Sequence, residues 1–146
     1  MNHQQYKVIS YTKGNTFKYN DVSKLYECYQ NTYVDTNIGQ FHIMPLFRTD
    51  GGSVPKSLQW LIPAWSETND LLRLAYVIHD ACYGAELVSK KEADELLHSM
   101  LLQSGMNSVK AMLVCNAVTI FAKRHYGIAN DDLDNYYFCE FKRSNA

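Results

Sequence analysis

The first third of the chain alternates short apolar or aromatic runs with polar turns, a pattern that indicates β-strands. Two such runs, residues 6–11 and 16–19, flank a turn-forming Lys-Gly-Asn segment at 13–15, and their spacing predicts a β-hairpin. A further strand is predicted over residues 41–47. Pro45 has no backbone N–H to donate, which favours a place for this strand at a sheet edge or beside a bulge.

Helical periodicity replaces the strand pattern after residue 55. A helix is predicted to begin after Asn69, whose side chain can cap the first free amide groups, and to end at Gly84, because glycine often terminates helices. Its apolar residues recur with the i, i+3, i+4 spacing of a single helix face: Leu71, Leu74, Ala75, Ile78 and Cys82.

The next helix has the strongest start signal in the sequence. Residues 89–92 read Ser-Lys-Lys-Glu, a capping box in which the serine and glutamate side chains bond each other's backbone amides. This helix is predicted to end at Gly105. A third helix is predicted over residues 108–125, with Gly127 after it. Its apolar window at 111–122 favours a buried helix.

This order of elements predicts an α+β fold with N-terminal antiparallel strands, a helical hairpin and a third helix. The strand-rich part covers residues 1–50, the helical part covers 55–127, and a tail at 128–146 contains a last strand near 136–141. The chain has 146 residues, 47% of them hydrophobic. That is enough for one core, so a single domain over 1–146 is predicted.

Charge and composition exclude several classes of function. The sequence contains 14 Lys and Arg residues and 15 Asp and Glu residues. There is therefore no net positive field that would favour binding to nucleic acid or to an anionic membrane. No apolar run approaches the roughly 20 residues of a transmembrane helix, and the polar start predicts no signal peptide. We therefore expect a cytoplasmic protein whose four cysteines are buried thiols.

Two candidate catalytic residues lie at matching positions in the predicted helical hairpin. His79 comes five residues before Gly84, and Asp94 comes five residues after Ser89. If the two helices pack antiparallel, His79 and Asp94 lie at the same height, where the carboxylate can bond one imidazole nitrogen and leave the other as a base. A pair between Asp94 and His98, one turn along the same helix, is the alternative.

A candidate metal site lies beside this pair. Asp80 follows His79 and points about 100° around the helix, towards a sector where Asp50 of the glycine-rich loop can meet it. Gly51 and Gly52 allow that loop to turn its carbonyl groups inward. Carboxylates with carbonyl oxygens suit calcium, so Asp50, Gly51 and Asp80 are the predicted metal ligands. The alternative is that Asp50 only shapes a turn.

These motifs resemble those of two known families. Residues 79–84, His-Asp-Ala-Cys-Tyr-Gly, resemble the H-D-x-C-Y-G helix signature of secreted phospholipase A2 enzymes. Residues 50–55 are similar to the D-G-x-S-x-x-P calcium loop of the smaller bacterial and fungal members, with one residue fewer before the proline. Over roughly residues 40–127 the chain also resembles an uncharacterised phage and prophage family, domain of unknown function 1353. That family carries T-D-x-x-S-x-P, then H-D, then A-D.

The resemblance implies roles for four of these residues and a phospholipase A2-like helical core. His79 is the implied base, Asp94 is its orienting carboxylate, and Asp80 with Asp50 are calcium ligands. We therefore expect a small phage-derived hydrolase, in the host cytosol, that uses calcium to cleave a phospholipid or another ester. Two alternatives stay open on the same scaffold: a non-catalytic phage accessory or host-interaction protein, and a hydrolase of a cell-wall bond.

Overall fold

The computed structural model describes residues 6–49, 60–61, 65–122 and 137–144. Within these ranges six strands precede three helices and a seventh strand follows them, as the α+β prediction requires. The strands are β1 (Val8–Tyr11), β2 (Phe17–Asn20), β3 (Leu25–Cys28), β4 (Thr32–Thr36), β5 (Gly39–Ile43), β6 (Arg48–Thr49) and β7 (Cys139–Arg143). The helices are α1 (Asp70–Ala85), α2 (Lys90–Gln103) and α3 (Ser108–Ala122).

The strands form two antiparallel sheets. One has the order β1-β4-β5-β7 and the other has the order β2-β3-β6. Burial alternates along β4 and β5, so that Val34, Phe41 and Ile43 face the core, as expected of a sheet with one solvated face. β5 is an interior strand, so of the two placements that Pro45 favours, the sheet edge is wrong. Pro45 lies two residues beyond the end of β5 and leaves its hydrogen-bond ladder intact.

The hairpin predicted between residues 6–11 and 16–19 is also wrong. β1 pairs with β4, whereas β2 pairs with β3 in the other sheet. The backbone of Gly14 is bound to α1 instead: its N–H donates to Asp70 Oδ2 at 2.9 Å and its carbonyl accepts from Arg73 Nη2 at 2.9 Å. These contacts direct the chain from one sheet to the next.

Helix α1 begins as predicted and ends later than predicted. The Asn69 side chain accepts from the amide of Leu72, which confirms the predicted cap. The helix continues through Gly84 and ends where Glu86 adopts a left-handed conformation, with a φ of 50°. Glycine inside a helix costs only about 1 kcal/mol. The packing of the residues beside Gly84, including the buried Tyr83, offsets such a cost.

Helix α2 follows its prediction at both ends. Ser89 Oγ accepts from the Glu92 amide at 3.1 Å, and Glu92 Oε1 accepts from the Ser89 amide at 3.3 Å. The helix ends at Gln103 with Ser104 as its C-cap, and Gly105 follows with a φ of 100°. α1 and α2 pack as the predicted hairpin. Their buried residues form the centre of the core, among them Leu74, Ala75, Ile78, Cys82, Leu96, Leu97, Met100 and Leu101.

Helix α3 is only half buried, so the prediction of a buried helix is wrong for its outer face. Ala111, Val114 and Val118 are buried, whereas Val109 and Ile120 are exposed. The predicted C-cap Gly127 lies outside the described residues. In the part of the chain that the structure describes, no helix is long and apolar enough to cross a membrane. All four cysteines are buried thiols.

A buried arginine ties the start of α1 to the rest of the fold. Arg73 is 1% exposed, and its guanidinium donates to Asp70 Oδ1 at 2.5 Å and to the carbonyl groups of Ser66 and Gly14 at 2.9 Å. Burying a charge is costly unless it is paired and hydrogen-bonded. The three acceptors pair both terminal nitrogens of Arg73, whereas its buried Nε has no partner among the described residues.

Arg73→Met should therefore destabilise the fold strongly. It leaves Asp70 Oδ1 and two carbonyl groups without the donor that Arg73 supplies, and we expect a loss of about 3 kcal/mol in the free energy of unfolding, measured by urea denaturation. Arg143→Met is the matched control, because Arg143 is 53% exposed where it pairs with Glu92. It should cost about 1 kcal/mol or less. Equal losses in the two variants would contradict this role of Arg73.

Candidate active site

The helical hairpin brings the two candidate catalytic residues together. His79 is 3% exposed and lies on the side of α1 that packs against α2. Its Nε2 atom is 3.1 Å from Asp94 Oδ1. The contact between His79 and Asp94 expected from the hairpin is thus present, and none of the described contacts of the Asp94 carboxylate goes to His98.

Two further side chains hold the Asp94 carboxylate. Tyr83 donates its hydroxyl to Oδ1 at 2.5 Å, and Lys90 donates to Oδ2 at 2.8 Å. The Tyr83 ring also packs on His79, with 4.2 Å between the ring centroids. Sequence reasoning assigned no role to Tyr83 or Lys90. The signal was their spacing, since Tyr83 lies four residues after His79 and Lys90 lies four residues before Asp94, each on the same helix face.

The hydrogen bonds keep Asp94 ionised despite its partial burial. Burial alone raises the pKa of a carboxyl group. The bonds from His79, Lys90 and Tyr83 outweigh burial here, so that the pKa of Asp94 is lowered from its ordinary value. The backbone of Asp94 is held as well, because its carbonyl accepts from the Cys115 thiol of α3 at 3.4 Å. An ionised, oriented carboxylate can fix one imidazole tautomer and stabilise an imidazolium ion.

Asp80 lies on another side of α1 and faces the three-stranded sheet. Its carboxylate accepts a hydrogen bond from the Thr49 hydroxyl at the end of β6. Thr49 is the residue before Asp50 in the sequence. Asp80 therefore contacts the strand that ends immediately before Asp50 in the sequence.

The other predicted metal ligands, Asp50 and Gly51, lie outside the described residues, and so do Gly52 and Ser53. Within the described ranges no group of three or more His, Cys, Asp and Glu side chains is arranged to hold a metal ion. Asp80 and the Thr49 hydroxyl supply oxygen atoms, the donor type that calcium prefers.

Two other charged or titratable residues, Arg48 and His42, make contacts within the sheets and their turns. Arg48 donates from Nε to Glu27 Oε2 at 3.0 Å across β3 and β6. His42 lies in the four-stranded sheet, where its ring nitrogens contact Asn31 Oδ1 at 2.9 Å and Glu140 Oε1 at 3.2 Å. His42 is thus a second histidine paired with a carboxylate, and it lies in the four-stranded sheet and not in the helical hairpin.

Comparison with known proteins identifies the family. Residues 26–118 match the family described as protein of unknown function (DUF1353). The chain belongs to the DUF1353 family. The match runs from β3 to α3 and includes His79, Asp80 and Asp94. No curated protein and no solved structure matches the chain. Because the DUF1353 description names no activity, function has to be inferred from the geometry and chemistry of the site.

The low pKa of Asp94 makes stability depend on pH. The folded state holds this carboxylate ionised at pH values where the unfolded chain is protonated. The stabilisation is therefore complete above the unfolded pKa of about 3.9 and is lost as the pH falls through the lower folded pKa. We expect Asp94→Asn to lower the free energy of unfolding near neutral pH by about 2 kcal/mol.

This difference between wild type and Asp94→Asn should shrink as the pH falls below about 4, in urea denaturation followed across that range. Asp21→Asn, which removes an exposed carboxylate, controls for the loss of one charge. A difference that stays constant down to about pH 2.5 would contradict an ionised, hydrogen-bonded Asp94.

Proposed function

We propose that this DUF1353 chain is a small phage-derived hydrolase with a phospholipase A2-like site, which uses His79 and calcium to cleave an ester such as a phospholipid. The observation that carries the proposal is the 3.1 Å contact between His79 Nε2 and Asp94 Oδ1. A nearly buried imidazole on an ionised carboxylate is the arrangement that general-base catalysis needs.

In this mechanism His79 Nε2–H donates a hydrogen bond to the Asp94 carboxylate, and Nδ1 is the basic atom. Among the residues that the structure describes, none bonds Nδ1. Nδ1 takes a proton from water as the water oxygen attacks the ester carbonyl, and Asp94 stabilises the imidazolium ion that results. The imidazolium then returns the proton to the leaving alkoxide, so that the products are a carboxylic acid and an alcohol.

Tyr83 and Lys90 would position Asp94 for this role. Tyr83 shares Oδ1 with His79, and Lys90 holds the opposite oxygen. Together they fix the plane of the carboxylate against the imidazole ring. A base is effective only when its geometry is held, and these two bonds provide that constraint.

The calcium part of the proposal rests on Asp80. Its hydrogen bond to Thr49 places a carboxylate beside the strand that leads into Asp50 and Gly51. We infer that the Asp50 carboxylate and the Gly51 carbonyl complete an oxygen ligand set with Asp80. A bound calcium ion would supply positive charge to offset the oxyanion that forms on the ester.

The role of His79 as the base is tested by measuring hydrolysis of p-nitrophenyl butyrate and of phosphatidylcholine vesicles, each with calcium. His79→Gln and Asp94→Asn should each lower kcat by about a hundredfold or more. His42→Gln is the matched control, because it also removes a histidine paired with a carboxylate and should leave kcat unchanged. Turnover that is equal in wild type and His79→Gln, with folding intact, would contradict the proposal.

Calcium should also stabilise the folded chain. A ligand that binds only the folded state at about 100 times its dissociation constant adds about 2.7 kcal/mol. We therefore expect thermal unfolding in calcium to shift to higher temperature than in EDTA, and Asp80→Asn to abolish this shift. Asp35→Asn, in the four-stranded sheet, should retain it. Identical unfolding curves of the wild type in calcium and in EDTA would exclude a calcium site.

A further inference from the structure

Thr49 is a buried residue of the three-stranded sheet that contacts α1. It is 1% exposed and is the last residue of β6, a strand of two residues that pairs with β3. Its hydroxyl donates to Asp80 Oδ2. A hydrogen bond with an ionised partner is stronger than one between neutral groups, so this contact is a firm link between β6 and α1.

The register of the strands fixes the position of Thr49. It lies directly opposite Tyr26 of β3, and Arg48 lies opposite Glu27. Arg48 Nε donates to Glu27 Oε2 at 3.0 Å, so a cross-strand ion pair supports the backbone pairing. Threonine is also branched at Cβ, which restricts its side-chain rotamers. The strand and the rotamer together hold the Thr49 hydroxyl towards Asp80.

A carboxylate binds a metal ion more tightly when a neighbouring group already holds it in place. An unrestrained aspartate side chain rotates about two bonds, and the loss of that freedom opposes binding. A hydrogen bond to one carboxylate oxygen fixes the orientation of the group before the ion binds. The Thr49 hydroxyl makes such a bond to Oδ2 of Asp80.

We propose that Thr49 is a positioning residue of the calcium site, whose hydroxyl orients the Asp80 carboxylate for the ion. This inference rests on the calcium part of the proposed function, since it requires Asp80 to be a calcium ligand. It does not require the ester chemistry at His79. In metal sites, loss of the group that hydrogen-bonds a ligand typically weakens metal binding by about ten- to a hundredfold.

The alternative is that the bond only holds β6 against α1. Thr36 supplies a matched control for this alternative, because it is also a buried threonine, 6% exposed. Its hydroxyl donates to the Gly39 carbonyl at 2.8 Å, within the four-stranded sheet. Thr36→Val and Thr49→Val each remove one buried, hydrogen-bonded hydroxyl, and only the second of these hydroxyl groups contacts a proposed calcium ligand.

Calorimetric titration of calcium chloride into the full chain, after EDTA treatment and dialysis, measures the dissociation constant directly. Thr49→Val should raise it by at least about tenfold. Thr49→Ser retains the hydroxyl and should raise it less, whereas Thr36→Val should leave it unchanged. Circular dichroism verifies that each variant is folded. If Thr49→Val does not fold, Thr49→Ala removes the same hydroxyl and takes its place.

The outcomes separate this inference from the proposed function. A dissociation constant that is equal in the wild type and Thr49→Val, or raised as much by Thr49→Ser as by Thr49→Val, would overturn it and leave the hydrolase proposal intact. A wild type that binds no calcium would overturn it together with the calcium site. If the chain cleaves no ester but Thr49→Val weakens calcium binding and His79→Gln does not, the positioning role is supported and the hydrolase is contradicted.

Discussion

A partly buried carboxylate must be surrounded by donors, and Asp94 imposes that requirement on the helical core. Its three partners come from both helices of the hairpin: His79 and Tyr83 from α1, and Lys90 from the first turn of α2. These hydrogen bonds to Asp94 form only when α1 and α2 have one particular height and rotation relative to each other. The same network that positions the imidazole therefore also fixes how α1 packs on α2.

The two sides of α1 contact different parts of the fold. One side presents His79 and Tyr83 to α2, whereas the other presents Arg73 and Asp80 to the strands and their connections. Arg73 binds the segment between β1 and β2, and Asp80 binds β6. The proposed base His79 and the proposed calcium ligand Asp80 therefore both lie on α1.

The features that could be predicted from the sequence are those set by interactions between residues close together in the chain. The Asn69 cap, the capping box at Ser89 and the short helical connection were sufficient to predict the hairpin and the contact between His79 and Asp94. Strand pairing was not predictable in this way, because β1 joins β4 and the connection after it is held by the distant Arg73. A turn motif contains no information about such long-range partners. The apolar composition of α3 likewise could not tell a packed face from an exposed one.

The position of one proton tests the central claim most directly. If Asp94 orients His79 as a base, the neutral imidazole carries its proton on Nε2 and leaves Nδ1 bare. Nitrogen-15 chemical shifts of the His79 ring, assigned by comparison with His79→Gln, distinguish the two tautomers. The account requires a protonated Nε2 in the wild type. A proton on Nδ1 would contradict it, because the nitrogen that is assigned to take the proton from water would then have no free lone pair.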